Sequence, residues 1–80
     1  MDIENIVKEL LELKTYNAAH SHLQYKLGFK MTSYGDLNTL TAQACYVKDD
    51  YVIWIVYHWV KIGKDSYVSG DIIGIDYYIN

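Results

Sequence analysis

His58 and Asp71 are the residues best suited to acid–base chemistry in this 80-residue chain. Each lies in a segment with strand character, and a four-residue turn at 63–66 would make them cross-strand partners. A carboxylate beside an imidazole fixes the tautomer and stabilises the protonated ring, which is what a general base needs. The pair is equally an ordinary polar contact at the edge of a core, and the predicted register supplies no serine nucleophile. We therefore keep a pocket near His58, Asp71 and Tyr46, in a small ligand-binding or enzymatic domain, as the alternative to a non-enzymatic function.

Other residues that could do chemistry are not spaced for it. His20 and His22 are two positions apart, which places them on opposite sides of a helix and prevents them from sharing a metal ion. Cys45 is the only cysteine, so an intramolecular disulfide is excluded. In the predicted register Cys45 and His58 face opposite sides of the sheet. Since there is also no zinc, calcium or phosphate-loop motif, we expect no cofactor and no metal.

Composition and charge restrict the class of partner. The formal net charge is −3, and all seven basic residues are scattered lysines, so nucleic acid is not an expected partner. Hydrophobic residues make up 51% of the chain and nine residues are tyrosine, which indicates a folded core. The lone cysteine, the absence of a basic leader after Met1, and a longest apolar run that is too short to span a bilayer predict a cytoplasmic protein without membrane contact.

The elements that would position these residues form one domain over residues 1–80. Apolar or semi-polar residues recur at helical spacing over 3–27 and form one stripe that includes Tyr16 and His20, with Asp2 as the N-cap and Gly28 as the C-cap. Three poor helix formers at 15–17 leave open a break into two shorter helices. After Gly28 the apolar period changes from that of a helix to that of a strand.

The second part of the chain predicts an antiparallel sheet. Strands are expected at about 29–34, 39–47, 51–62 and 67–79, with a turn at 35–38 and a three-residue hairpin loop at 48–50. The fold class is therefore α+β, with the N-terminal helix packed on a three- to four-stranded antiparallel sheet. Ala42 and Ala44 would leave a groove in the sheet for the helix.

The predicted central strand, 51–62, is apolar on both faces. In the register of a three-residue loop, its even-numbered residues face the helix together with Ala42 and Ala44. The opposite face then carries the predicted partner-binding residues Tyr51, Ile53, Ile55, Tyr57, Trp59 and Tyr78. Two structural explanations remain open: a two-residue loop at Asp49–Asp50 that exchanges the faces of strand 39–47, or closure of the sheet with 29–34 as its cover.

A functional explanation is that this aromatic face binds another chain. Tyrosine and tryptophan beside small polar residues are enriched at protein interfaces. We therefore expect a small non-enzymatic module that binds a protein partner or a second copy of itself, through this face or through an acidic edge. Small, acidic, Arg-free, Tyr-rich domains are common among phage- and mobile-element-encoded inhibitors of host or defence proteins, including anti-CRISPR-like inhibitors. That analogy rests on size and composition alone.

Overall fold

The computed structural model describes residues 2–80, and it contains a helical region followed by four strands. The helical region consists of α1 (Ile3–Leu13), α2 (Tyr16–Ser21) and a π-helical turn (His22–Lys26). The strands are β1 (Lys30–Asn38), β2 (Thr41–Lys48), β3 (Tyr51–Lys61) and β4 (Tyr67–Ile79). They form one antiparallel sheet in the order β1-β2-β3-β4, which confirms the predicted α+β class. No helix within residues 2–80 has the length and apolar content to cross a membrane.

The predicted caps of the helical region are present. The Asp2 carboxylate accepts a hydrogen bond of 3.0 Å from the backbone N–H of Glu4, at the N-terminus of α1. At the other end Gly28 has φ +76°, a backbone conformation that glycine adopts without steric cost. The N–H of Phe29 then donates to the carbonyl of Leu23 at 2.8 Å and closes the last turn.

The helix breaks at Lys14, just before the three residues at which a break was considered. Lys14 has φ 67° and ψ −44°, and the N–H of Thr15 donates to the carbonyl of Leu13 at 2.8 Å. This two-residue hydrogen bond defines a γ-turn, which is rare and strained for a residue with a side chain. The exposed carbonyl of Lys14 accepts from the N–H of Ile72 at 2.7 Å, so the break is also where the helices attach to β4.

The first hairpin turn lies further along the chain than predicted. Residues 35–38, which were expected to form a turn, are part of β1. The chain reverses at Thr39–Leu40 instead, where the Asn38 side-chain oxygen accepts from the N–H of Leu40 at 3.0 Å. An asparagine that bonds the backbone two residues on can stabilise a turn that has no glycine or proline. Asp36 therefore lies within the sheet.

The predicted register between β2 and β3 is wrong by one residue. Lys48 pairs with Tyr51, so the connecting loop is Asp49–Asp50, and Asp49 has φ 53°. This is the two-residue loop that the sequence left open. Because side chains alternate along a strand, a slip of one residue exchanges the relative faces of the two strands.

The exchange places the odd-numbered residues of β3 beneath the helices. Ile53 and Ile55 are 0% exposed and pack in one core with Leu10 and Leu23. Ala42 and Ala44 of β2 lie in the same core, as predicted. The assignment of Tyr51, Ile53, Ile55, Tyr57 and Trp59 to a helix-free face was therefore wrong. Their predicted role in partner binding is a separate matter, which the fold does not test.

The helix-free face carries the even-numbered residues of β3. Val52 lies there, pairs with Tyr78 of β4 and is 4% exposed. Tyr78 is 49% exposed, and it is the one residue of the predicted partner-binding set on this face.

The pairing of β3 with β4 is irregular where the His58–Asp71 pair was predicted. Tyr57 pairs with Ile72 and Trp59 pairs with Ser69, so His58 and Asp71 are not cross-strand partners. Asp71 instead forms a bridge with Thr15, in the segment that joins the two helices. The backbone of β4 is diverted to meet that segment, and this accounts for the error in the predicted pairing.

Candidate functional site

A cavity of about 400 Å³ lies between α2 and the sheet. Its volume falls within the range typical of small-molecule sites in proteins. It is lined by Tyr16, Asn17, His20, Met31, Tyr34, Gly35, Asp36, Ala42, Tyr57 and Trp59. Most of these side chains are aromatic or apolar, and the few polar groups lie at separate positions around the wall. We call this cavity the aromatic pocket.

The floor of the aromatic pocket is a single row of residues across three strands. Asp36 of β1 pairs with Ala42 of β2, which pairs with Tyr57 of β3. Ala42 is 1% exposed, and its small side chain leaves space between its two larger neighbours. The pocket is therefore open because alanine occupies the central position of this row.

Three aromatic side chains form a continuous wall. The rings of Tyr16 and Tyr57 are stacked, with centroids 3.7 Å apart and an interplanar angle of 9°. Tyr57 in turn makes an edge-to-face contact with Trp59, at 5.6 Å and 68°. Such pairs stabilise a fold by about 1 kcal/mol each beyond the burial of their surface. These ring contacts fix the three side chains relative to one another.

Behind this wall lies a hydrogen-bonded trio formed by Tyr16, Tyr46 and His20. The hydroxyl groups of Tyr16 and Tyr46 are 2.5 Å apart, and the Tyr46 hydroxyl is 2.6 Å from Nδ1 of His20. Tyr46 is 0% exposed, and the Tyr16 hydroxyl also lies 4.0 Å from the sulfur of Met31. Burial raises the pKa of both Tyr16 and Tyr46, so both phenols are neutral at ordinary pH. The trio therefore positions α2 on the sheet.

Asp36 and Trp59 form the outer side of the aromatic pocket. The indole N–H of Trp59 donates to one carboxylate oxygen of Asp36 at 2.8 Å, and its backbone N–H donates to the carbonyl of Leu40 at 2.8 Å. These two bonds hold the indole ring between the aromatic pocket and a second hollow of about 460 Å³, lined by Asp36, Thr39, Trp59 and Tyr67.

Burial raises the pKa of Tyr57 to about 12, and the neighbouring Tyr16 and Asp36 contribute to the increase.

The two hollows are lined by aromatic side chains with a few polar groups. Neither hollow is lined by a serine, cysteine or lysine side chain that could act as a nucleophile. Within residues 2–80, no group of three His, Cys, Asp or Glu side chains could hold a metal ion. What the pocket offers is rigid aromatic surface, one carboxylate and a few hydrogen-bonding groups.

The structure distributes the sequence-predicted residues over three places. Tyr57 and Trp59 line the aromatic pocket, whereas His58 and Asp71 line neither hollow. Tyr51, Ile53 and Ile55 lie in or against the core. Tyr78 lies on the helix-free face. Sequence reasoning placed Tyr16 and His20 on the buried helix stripe but gave them no part in a site. It missed Asp36, because Gly35–Asn38 resembles a turn.

Comparisons with known proteins do not extend this description. No protein-family model matches the sequence, and neither the curated proteins nor the solved structures gave a significant match. Function is therefore argued from the geometry of the site.

Proposed function

We propose that this chain is a small non-enzymatic module that binds a protein partner at one end of its sheet. The observation that carries the proposal is a group of exposed apolar side chains at the end where the β1–β2 and β3–β4 turns lie. We call this group the distal patch; it consists of Leu37, Leu40, Val60, Ile62, Tyr67 and Val68. Their exposed fractions range from 42% to 64%.

The distal patch exists because the strands extend beyond the helices. On the helix-covered face of β3 the side chains change from buried at Tyr57 to exposed at Lys61, where the helical core no longer covers the sheet. Val60, on the other face, is 46% exposed. Val60 and Val68 are cross-strand neighbours, and Leu40 lies across from Trp59, whose N–H bonds to the Leu40 carbonyl. Because successive side chains alternate between the faces of a strand, the distal patch extends around the end of the sheet and not over one face. Exposed apolar side chains grouped at one end of a fold mark interaction sites on soluble proteins.

The chemistry of the neighbouring hollows favours a different protein over a second copy of this chain. A symmetric dimer brings the same surface of both copies together, so it would place two Asp36 carboxylates in one interface. No lysine lines either hollow to compensate them. A partner that presents apolar side chains around a basic residue would meet both the distal patch and this carboxylate.

Capture from host extracts with matched variants tests the proposal. Ile62→Glu introduces a charge into the distal patch at a residue that is 64% exposed, whereas Ile79→Glu makes the same change at a residue that is 60% exposed outside it. We expect a specific protein to co-purify with the wild type and with Ile79→Glu, and to be lost with Ile62→Glu.

Three results would contradict this function. They are the absence of any specific partner, the retention of the partner by Ile62→Glu, and a wild-type dimer in light scattering that Ile62→Glu converts to a monomer. The last result would assign the distal patch to a second copy. Circular dichroism of both variants establishes that the comparison is made between folded proteins.

A further inference from the structure

We propose that the aromatic pocket binds an organic cation, and that this cation is a basic side chain of the protein partner. The identity of the occupant rests on the proposed function. The cation-binding chemistry of the pocket does not, because it follows from the side chains that line it.

Charge is the first argument. Asp36 is the one Asp, Glu, Lys or Arg among the residues that line the pocket. Within residues 2–80 the only ion pair closer than 4.0 Å joins His22 to Glu9, so Asp36 has no cationic partner among the described residues. One of its oxygens accepts from Trp59, and no hydrogen bond to the other is present among the described residues. The pocket therefore presents an unneutralised carboxylate that is already oriented.

The aromatic wall is the second argument. Tyrosine and tryptophan rings carry negative charge on their faces, and they attract ammonium and guanidinium groups within about 6 Å of the ring centroid. Trp59 is bonded to Asp36 through its indole N–H, and Tyr34, which is 75% exposed, lies on the same face of β1 as Asp36. Aromatic rings beside one carboxylate form a site that favours cations and repels anions.

The depth of the pocket is the third argument. Its inner surface is formed by Ala42, Met31 and the stacked Tyr16–Tyr57 pair, all of which present apolar atoms. Lysine and arginine side chains bury an aliphatic stem while the charged group remains near water. A basic side chain can therefore lie against this inner surface with its charged group at Asp36. A metal cation would not be held, because one carboxylate supplies too few oxygen ligands.

A titration that needs no partner tests this inference. The two tryptophans of the chain give two indole N–H signals in a ¹H–¹⁵N spectrum, and Trp54 lies on the helix-free face as an internal control. The probes are Nα-acetyl-arginine methylamide, Nα-acetyl-lysine methylamide, the neutral Nα-acetyl-citrulline methylamide, and tetramethylammonium as a free small cation. We expect both basic probes to shift the Trp59 signal saturably, with little effect of citrulline and none on Trp54.

Two variants and a salt series separate charge from shape. Asp36→Asn keeps an acceptor for the Trp59 indole and should weaken the basic probes by at least about fivefold, the size of a modest charge contact. Asp76→Asn removes the same charge from the face opposite the pocket and should change nothing. For the wild type, added salt should weaken the basic probes and leave citrulline unchanged.

The inference is overturned if citrulline binds as well as arginine, or if neither Asp36→Asn nor salt weakens the basic probes. Stronger binding of tetramethylammonium than of either amino-acid probe would assign the pocket to a free small cation instead. If the probes bind but no partner is captured, the protein-binding function fails and the cation pocket stands. If a partner is captured through the distal patch but the probes do not bind, only this inference fails.

Discussion

The phenol groups of Tyr16, Tyr46 and Tyr57 are neutral in the folded chain. Each is buried away from water, in surroundings that would solvate its ionised form poorly. The pKa of each is raised, and that of Tyr57 reaches about 12. Tyr57 is 4% exposed and is held between Tyr16 and Trp59. The residues that shape the aromatic pocket are therefore also residues through which high pH acts on stability.

Alkaline conditions should destabilise the fold in a defined window. Above pH 10.0, the ordinary pKa of the phenol, Tyr57 loses its proton in the unfolded chain but keeps it in the folded one until about pH 12. The unfolded state then binds fewer protons, so the free energy of unfolding falls as pH rises through this window. Urea unfolding followed by circular dichroism should show a constant midpoint from pH 7 to about 9.5, then a decline.

Phenylalanine variants identify the source of that decline. Tyr57→Phe removes the ionisable group and keeps the ring stack, so the decline between pH 10.0 and about 12 should become shallower. Tyr25→Phe makes the same change at a side chain that is 81% exposed and should follow the wild type. An equally steep decline in Tyr57→Phe and in the wild type would show that burial of this phenol is not the cause.

At the residue scale, sequence reasoning recovered the apolar pattern and missed the polar groups. Helical spacing correctly placed Tyr16 and His20 on the buried stripe, but nothing local indicates that both would reach Tyr46. That contact depends on the relative placement of α2 and β2, which spacing does not encode. Asp36 was missed because its flanking Gly35 and Asn38 favour a turn locally, whereas strand pairing with β2 determines the outcome.

At the scale of elements, the γ-turn at Lys14 combines local strain with a tertiary contact. The positive φ of Lys14, 67°, is unfavourable for a lysine. The turn nevertheless ends α1 at this point, and the Lys14 carbonyl accepts a hydrogen bond from β4. Residues held in such conformations cost about 1–3 kcal/mol, which the surrounding structure must offset. This position is therefore one where glycine should be preferred.

The same substitution at two lysines should have opposite effects. Lys14→Gly relieves the unfavourable φ and should raise the free energy of unfolding by about 1 kcal/mol. Lys8→Gly removes the same charge in the middle of α1 and should lower it by about 1 kcal/mol. Urea midpoints of the two variants measure both effects. A destabilised Lys14→Gly would show that the strain at this turn is negligible.

The strands show which structural features the apolar periodicity predicts and which it does not. Alternation and β-branched content identified the four strands and the small residues that accept the helices. The register of β2 against β3 depends on how many residues form the loop between them. The sequence around Asp49–Asp50 is compatible with a loop of two residues and with a loop of three. Because one residue decides which side chains are buried, the faces of β3 were exchanged although the strand itself was correctly predicted.

At the scale of the molecule, the elongated shape places the buried core along one part of the sheet and exposed apolar side chains along another. The principal extents are 42 × 21 × 19 Å, and the helices cover only part of the sheet's length. The core lies beneath them, while the distal patch and the aromatic pocket lie towards the end that extends beyond it. The chain therefore has apolar surface available for a partner without exposing its core.

Methyl cross-saturation from the captured, unlabelled partner to this chain, labelled at Ile, Leu and Val methyl groups, tests the central claim most directly. If the distal end is the interface, saturation should reach Leu40, Ile62 and Val68, and Ile79 should remain unaffected. Saturation centred on Ile79, or on Val52 and Val56 of the helix-free face, would contradict the account. So would saturation at the core residues Ile53 and Ile55, because a partner could reach them only if the helices left the sheet.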